Sequence, residues 1–235
     1  WSKRAIHAIK AAAALGAPQR NRKLSPLTAK IDEGTAVVED YLEMASFLRS
    51  PYGREKIPGS ETLADALGLA VAAKADDSVV EALIARGADI DAGAQTALMR
   101  AIGDSRRVES LLGRGAKPDK PNQYGKTPLM MAAHLSDLKS LRFLLDQSLN
   151  VNARTTDPDR SACFRMIIVS RTALMYAAEN VSPRVVMALL KAGADATAVD
   201  SHDRGMLNYL SRNANVSERE RKKIHQALVR AGATR

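Results

Sequence analysis

Histidine, cysteine and acidic side chains are the groups most able to do chemistry, and this chain does not arrange them for it. Its four histidines are widely separated, and no two have the spacing of metal ligands. Cys163, the one cysteine, has no histidine close to it in sequence, which disfavours a catalytic thiolate. Phosphate-binding loops and nucleophile motifs are also absent. We therefore expect no catalytic residue, metal, cofactor or small-molecule substrate. The histidines are His7, His134, His202 and His225.

The composition favours helices packed around a core of small residues. Of the 235 residues, 46% are hydrophobic but only 4% are aromatic, so the core must be built from Ala, Leu, Val, Ile and Met. Alanine has the highest helix propensity, and its small side chain lets helices approach closely. No apolar run reaches the roughly 20 residues that a membrane-spanning helix needs, so we expect no transmembrane segment.

The net charge of +9 is spread along the chain rather than gathered in one segment. Short basic clusters occur at 20–23 and 219–223, and glutamates are interleaved with the second. We interpret most of these charges as solvated helix faces and loop tips. The alternative is electrostatic binding to nucleic acid or to an anionic membrane surface. Nucleic acid is the less favoured of these partners, because aromatic residues are not interleaved with the basic ones.

One pattern of apolar and small residues recurs along the chain. In the stretch 171–200, Leu174 is followed by Ala177 and Ala178, then by a valine pair, a leucine pair and Gly-Ala-Asp at 193–195. The same order, with small gaps, follows other leucines. Neighbouring members of this set lie 29 to 45 residues apart. The reference leucines are Leu27, Leu69, Leu98, Leu129, Leu174 and Leu207.

Each unit of the pattern predicts two helices joined by a turn. Leu, Ala and Ala at positions i, i+3 and i+4 share one face of an inner helix, and the valine and leucine pairs form the apolar stripe of an outer helix. Thr127 and Thr172 stand where an N-cap hydroxyl can accept from backbone N–H groups. Gly87 and Gly193 stand at helix ends, where a left-handed residue is needed. Because one unit cannot bury both of its faces, we expect the units to stack.

A period near 33 residues, with a Thr-Pro-Leu start at 127–129 and a Gly-Ala-Asp end at 87–89 and 193–195, resembles the ankyrin repeat. The resemblance implies an all-α, ankyrin-type solenoid of about six or seven helix-turn-helix units with a long inserted finger loop. We expect one domain over residues 1–235. Its parts are divergent N-terminal units at 1–60, clear repeats at 61–200 with an insertion at 154–171, and a C-terminal capping unit at 201–235.

Methionine stands where the ankyrin pattern usually has a histidine, directly after the leucine of Thr-Pro-Leu. The resemblance implies that the usual Thr–His hydrogen bond is absent and that a thioether fills the space. We expect these methionines to pack in the core rather than to contact a ligand. They are Met99, Met130 and Met175.

Ankyrin-like proteins bind other proteins through the concave face of the inner helices and through hairpin tips. The resemblance therefore implies a non-enzymatic protein-binding scaffold, with concave positions two, five and six residues after the reference leucine. We expect Met131, Leu135 and Tyr176 to form an exposed apolar centre with Arg100 and Glu179 at its edges; the alternative is that Met131 and Leu135 pack between repeats. The other concave residues that we predict to bind are His134 and Asn180. The predicted tip residues are Tyr124, Lys126, His202 and Arg204.

The insertion at 154–171, called the finger below, carries an apolar, strand-like run. It either packs back on the repeats or offers a hydrophobic surface to a partner. We favour the partner, because inserted loops are usually polar. The predicted contact residues of the finger are Phe164, Met166 and Ile167.

The expected partner is another protein, whose identity the residues do not give. A narrower hypothesis makes the chain an inhibitor or immunity protein that acts on a toxin or an enzyme. The irregular spacings and the Ala- and Arg-rich composition suggest a bacterial protein, and a lone cysteine fits both a bacterial cytoplasm and a periplasm. Because Trp1 is not a usual first residue, we expect the natural chain to begin upstream.

Overall fold

In the computed structural model the described residues are 18–49, 60–93, 95–122, 124–156, 170–180, 182–212 and 217–233. Within them there are twelve helices and no strand, which confirms the all-α prediction. The chain divides into two compact units, residues 1–101 and 102–235. The first unit contains α1 (Pro18–Glu33), α2 (Val38–Arg49), α3 (Ser60–Ala72), α4 (Asp77–Ala85) and α5 (Ala97–Ala101). The second contains α6 (Ser105–Gly113), α7 (Pro128–His134), α8 (Leu138–Leu145), α9 (Ala173–Asn180), α10 (Pro183–Lys191), α11 (Met206–Ser211) and α12 (Glu218–Arg230).

Within each unit, helices that are neighbours in sequence contact each other in pairs, and the pairs stack in layers; α5 and α6 fall in different units. In the second unit the inner helices α7, α9 and α11 contact one another in order, and the outer helices α6, α8, α10 and α12 do the same. In the first unit α3 contacts α2, α4 and α5. All six reference leucines lie in the first helix of a predicted pair, so the helix-turn-helix prediction is confirmed. The extent of a single domain over 1–235 stays a prediction.

Threonine fixes the first turn of the inner helices. The Thr127 hydroxyl accepts from the Met130 N–H at 3.3 Å, and the Thr172 hydroxyl accepts from the Met175 N–H at 3.4 Å, as predicted. The corresponding threonine of α5 makes the same bond. All three methionines are buried, and the Thr127 N–H also donates to the Met130 sulfur at 3.5 Å. This confirms that the thioethers pack in the core.

The outer helices end where the glycines predict. Gly87 follows α4 with φ +89° and Gly193 follows α10 with φ +86°, a left-handed conformation that side-chain-bearing residues rarely adopt. The N–H groups of Gly193 and Ala194 donate to the carbonyls of Leu190 and Leu189. The last turn of α10 is therefore hydrogen-bonded before the chain leaves the helix.

The predicted register of the second repeat is wrong by two residues. Leu69 is only half-buried and packs against the cluster of Leu27 and Met44, which belongs to the preceding helix pair. The residues with the Leu, Ala, Ala spacing that are fully buried are Leu67, Ala70 and Val71. The sequence here alternates alanine and apolar residues, so two faces of α3 satisfy the pattern, and only the stacking of the neighbouring helices selects one.

In each of the two predicted hairpin tips, one buried side chain accepts hydrogen bonds from the backbone of the tip. The Asn122 side-chain oxygen accepts from the N–H groups of Tyr124 and Lys126, both at 3.0 Å. One Asp200 carboxylate oxygen accepts in the same way from the N–H groups two and four residues on, at 2.7 and 3.1 Å. The other accepts from the Tyr209 hydroxyl at 2.5 Å and the Arg204 Nε at 3.0 Å. Both residues are buried, so each tip carries its own acceptor for backbone donors that would otherwise be unpaired.

Removing the threonine caps should destabilise the second unit. We expect Thr127→Ala and Thr172→Ala each to lower the free energy of unfolding by about 1 kcal/mol, because an N–H at the start of an inner helix loses its acceptor. Urea unfolding followed by helical circular dichroism measures the loss. Thr156→Ala is the matched control, since this exposed hydroxyl caps no helix. An equal loss in the control would contradict the capping role.

The hydrogen bonds to the Asp200 carboxylate predict that the stability of the fold depends on pH. Burial raises the pKa of Asp200, but the hydrogen bonds from the Tyr209 hydroxyl and from the His202 and Arg204 N–H groups, with the Arg204 charge, outweigh it and hold the pKa below its usual value. The carboxylate therefore stabilises the fold above the unfolded-state pKa of about 3.9, and this stabilisation is lost as pH falls through the lower folded-state value.

We expect Asp200→Asn to lower the free energy of unfolding by about 1–3 kcal/mol at neutral pH, because a buried charge-assisted acceptor is lost. The difference from the wild type should shrink below about pH 4, where the carboxyl becomes protonated. Urea unfolding at a series of pH values measures both. Asp203→Asn, at an exposed position in the same tip, should show neither effect. A difference that stays constant down to the lowest pH would contradict the assignment.

Candidate protein-binding surface

The base of the finger is joined to the hairpin tip that precedes it. The Thr155 N–H donates to the Arg171 carbonyl, and the Thr155 carbonyl accepts from the Ser170 N–H at 2.8 Å, so the two ends of the finger are bonded together. The Thr156 N–H donates to the Tyr124 carbonyl at 3.2 Å. At Gly125, which has φ +72°, an added Cβ would lie 2.6 Å from the Thr156 nitrogen. The glycine thus permits the close approach of tip and finger base.

Arg171, at the end of the finger, is the centre of the candidate surface. Its guanidinium lies 3.9 Å from the ring centroid of Tyr176 on α9 and 4.7 Å from that of Tyr209 on α11. It also forms an ion pair with Glu179. Arginine is well suited to this position, because its planar cation can stack on rings while its edge binds a carboxylate. One side chain therefore holds together two neighbouring inner helices and the finger base.

A second group of side chains surrounds the other side of Tyr176. Lys126 places its ammonium 4.5 Å from the ring centroid, and the His134 ring meets Tyr176 edge to face with centroids 5.7 Å apart. The Asn180 amide donates to the Tyr176 carbonyl at 3.0 Å and lies 3.2 Å from His134 Nδ1. Four of the predicted binding residues, from two successive helix-turn-helix units, thus meet at the Tyr176 ring and its helix.

Burial and the neighbouring charges lower the pKa of His134 and so favour its neutral form. Burial lowers its pKa, and the charges of Lys126 and Arg171 lower it further, while Glu179 opposes them. A neutral imidazole can accept the Asn180 amide proton at Nδ1, which fits the observed contact.

The expected exposed apolar centre is not what the structure shows. Met131 is 4% exposed and Tyr176 is 8% exposed, and only Leu135 is half-exposed. Met131 is buried because the inner helices stack closely, and the ring of Tyr176 is covered by Arg171 and Lys126. The packing alternative therefore describes Met131, and polar side chains form most of the accessible surface.

Arg100 lies in the first unit and makes its contacts there. It packs across Gly68, where an added Cβ would lie 2.9 Å from its Nε, and that Nε donates to the Gln95 carbonyl at 3.4 Å. Burial lowers the pKa of Arg100, and Asp65 opposes the shift. This arginine is held mainly by its own unit, and a binding role for it stays a prediction.

The remaining predicted residues differ in how available they are. Tyr124 is half-buried beside the finger base, and His202 is exposed at its tip. Arg204 is only 20% exposed because it binds Asp200. The finger residues Phe164, Met166 and Ile167 lie outside the described residues, so their binding role stays a prediction.

Sequence reasoning missed Arg171 and Tyr209. Arg171 is the last residue of the finger, although it also directly precedes the threonine cap of α9. Tyr209 lies in the divergent last unit. The available signal was positional, since Lys126 also directly precedes a threonine cap, and both cations reach Tyr176. A cation at that position is therefore a shared feature of two repeats.

In the part of the chain that the structure describes, no group of three or more His, Cys, Asp or Glu side chains could hold a metal ion. None of the helices in that part is long and apolar enough to cross a bilayer.

Comparisons with known proteins agree with this architecture. Residues 67–157 and 103–200 match the family described as Ankyrin repeats (3 copies), and together the matches span more than half of the chain. Two proteins named Ankyrin repeat, SAM and basic leucine zipper domain-containing protein 1 are similar. The one from Dasypus novemcinctus is 31% identical over 123 residues, covering 40% of this chain and 25% of that protein. The one from Carollia perspicillata is 29% identical over 109 residues, covering 36% and 23%. This chain therefore spans about a quarter of the length of these relatives. Because the family matches together cover residues 67–200, this chain belongs to the ankyrin-repeat family.

Proposed function

We propose that this chain is a non-enzymatic scaffold that binds a partner protein through the surface around Arg171, called the inner surface below. Ankyrin repeats generally mediate protein–protein interaction, and the arrangement around Tyr176 is the observation that supports a site on this surface. The inner surface consists of Lys126, His134, Arg171, Tyr176, Glu179 and Asn180.

The inner surface is ordered before any partner arrives. Arg171 is stacked on two rings and ion-paired, and His134 and Asn180 are in contact with each other. Side chains that are already fixed lose little conformational entropy on binding, so more of the contact energy appears as affinity. This favours a specific protein partner over a diffuse electrostatic one.

The side chains of the inner surface favour a partner that is mainly polar and that contributes a small apolar group to the contact. Lys126 and Arg171 supply positive charge, Glu179 supplies one carboxylate, and Asn180 supplies an amide. Leu135 and Tyr124 are half-exposed beside this polar group and offer limited apolar area. Interfaces of this kind combine a few well-packed anchors with a polar rim.

We expect the double variant His134→Ala/Asn180→Ala to weaken partner binding at least about tenfold, because it removes two ordered polar groups from the surface. The partner is first captured on the immobilised 235-residue chain, and its affinity is then measured by isothermal titration. Both residues are half-exposed, whereas truncating buried Met131 or Tyr176 would open cavities and confuse loss of binding with loss of folding.

The matched control is Glu109→Ala/Gln226→Ala, two exposed positions on the outer helices α6 and α12. Thermal unfolding of both variants checks that the fold is kept. Affinity lost in the control but not in the inner-surface variant would contradict the proposed site. A chain that captures no protein at stoichiometric amount would contradict the scaffold function itself.

The inhibitor or immunity hypothesis is a narrower version of this function. It adds that the captured partner is a toxin or an enzyme and that binding blocks its activity. An activity assay of the partner, with and without the chain, tests this hypothesis. Unchanged activity of the partner at saturation would contradict the inhibitor hypothesis but not the scaffold function.

A further inference from the structure

The outer helices of the second unit carry a cation at one repeated position. In each helix a basic residue lies five residues before the buried leucine of the apolar stripe, and all four basic residues are exposed. Five residues correspond to about 140° of net rotation around the helix, so the cation faces away from the leucine and the core. The leucines are Leu111, Leu144, Leu189 and Leu228. The basic residues, called the cation ladder below, are Arg106, Lys139, Arg184 and Lys223.

Stacking converts this sequence spacing into a continuous surface. The helices α6, α8, α10 and α12 contact one another in order, and packed helices lie roughly 10 Å apart. The ladder therefore extends across about 30 Å, although its members are separated by 33 to 45 residues in sequence. The cations are dispersed along the sequence, but the stacking of the repeats places them on one face of the second unit.

Further exposed cations widen the ladder, and little negative charge interrupts it. The outer helices also present Arg142, Lys191, Arg219, Lys222 and Arg230. The exposed carboxylates of these helices are Glu109 on α6 and Glu218 and Glu220 in the first turn of α12. Among the described residues the ladder cations make no ion pair, so they are available to an external anion.

Two exposed apolar side chains lie within this basic face. Met187 is 55% exposed and stands between Arg184 and Lys191, one turn from each along α10. Val229 is 46% exposed and lies seven residues after Lys222, about two turns along the same side of α12. They are the large hydrophobic side chains that are exposed among the described residues of the second unit. Such side chains form no favourable contact with the phosphate backbone of a nucleic acid, whereas they can insert between lipid headgroups at the interface of a bilayer.

We infer that the outer face of the second unit binds peripherally to an anionic lipid membrane, with the cation ladder against the headgroups and Met187 and Val229 at the interface. The apolar stripes of the four helices are buried in the protein, so the contact is made by charges and two side chains rather than by an inserted helix. A nucleic-acid duplex is less suited to the face, because it would meet the two apolar groups and gain no stacking from them. The inference is independent of the inner surface.

The test is co-sedimentation of the 235-residue chain with vesicles. We expect binding to phosphatidylcholine vesicles that contain about one third phosphatidylserine, none to pure phosphatidylcholine, and loss of binding at high salt. Each cation near such a surface contributes roughly a fivefold factor. The variant Arg184→Glu/Lys223→Glu should therefore reduce the partition coefficient roughly thirtyfold or more.

The control is Lys74→Glu/Lys120→Glu, which changes the net charge equally at exposed positions off the ladder and should retain most binding. Equal loss in both double variants overturns the inference in favour of general charge attraction, and absence of vesicle binding overturns it outright. Tighter binding to a duplex of about 20 base pairs, lost in the ladder variant, overturns it in favour of nucleic acid. The His134→Ala/Asn180→Ala variant should bind vesicles normally, which separates this face from the proposed protein-binding site.

Discussion

The close approach of the inner helices is the constraint on which the rest of the second unit depends. Ala132, Ala133, Ala177 and Ala178 are completely buried where α7 and α9 meet, and a larger residue at these positions would separate the helices. Because the inner helices are close, the turns that follow the outer helices are also brought side by side. The finger base can then bond to the preceding tip, and a cation from one repeat can reach the ring of the next.

Tyr176 shows how this stacking creates a cluster of side chains that no single repeat contains. Its own helix supplies Glu179 and Asn180, the preceding pair supplies Lys126 and His134, and Arg171 reaches forward to Tyr209 in the following pair. The contacts of Tyr176 with Lys126 and His134, and that of Arg171 with Tyr209, each cross a repeat boundary. The order of this cluster therefore depends on the stacking, and a change that loosens the stack would also disorder these side chains.

The sequence was sufficient for what lies within a repeat and insufficient for what lies between repeats. Helix pairs, the caps at Thr127 and Thr172 and the buried methionines follow from local spacing and propensity, and all were predicted correctly. The register at Leu69, the burial of Met131 and the role of Arg171 depend on which neighbour a side chain meets. Periodicity gives the angle of a residue on its helix, but not the distance to the next helix, so these features needed the structure.

The inner and outer layers differ in how their charges are satisfied. On the inner side Arg171, Arg204 and Asp200 are bound to partners within the chain, so their charges contribute to order. On the outer side the ladder cations lie roughly 10 Å apart in water, where repulsion between two unit charges is only about 0.4 kcal/mol before salt screening reduces it. The fold therefore tolerates the ladder at almost no cost in stability and gains no internal contact from it. Packing explains why the leucine of each outer helix is buried, but it does not explain why the position five residues earlier is basic in all four outer helices of the second unit. The anionic membrane surface that we propose as the partner would supply the interaction that the fold lacks.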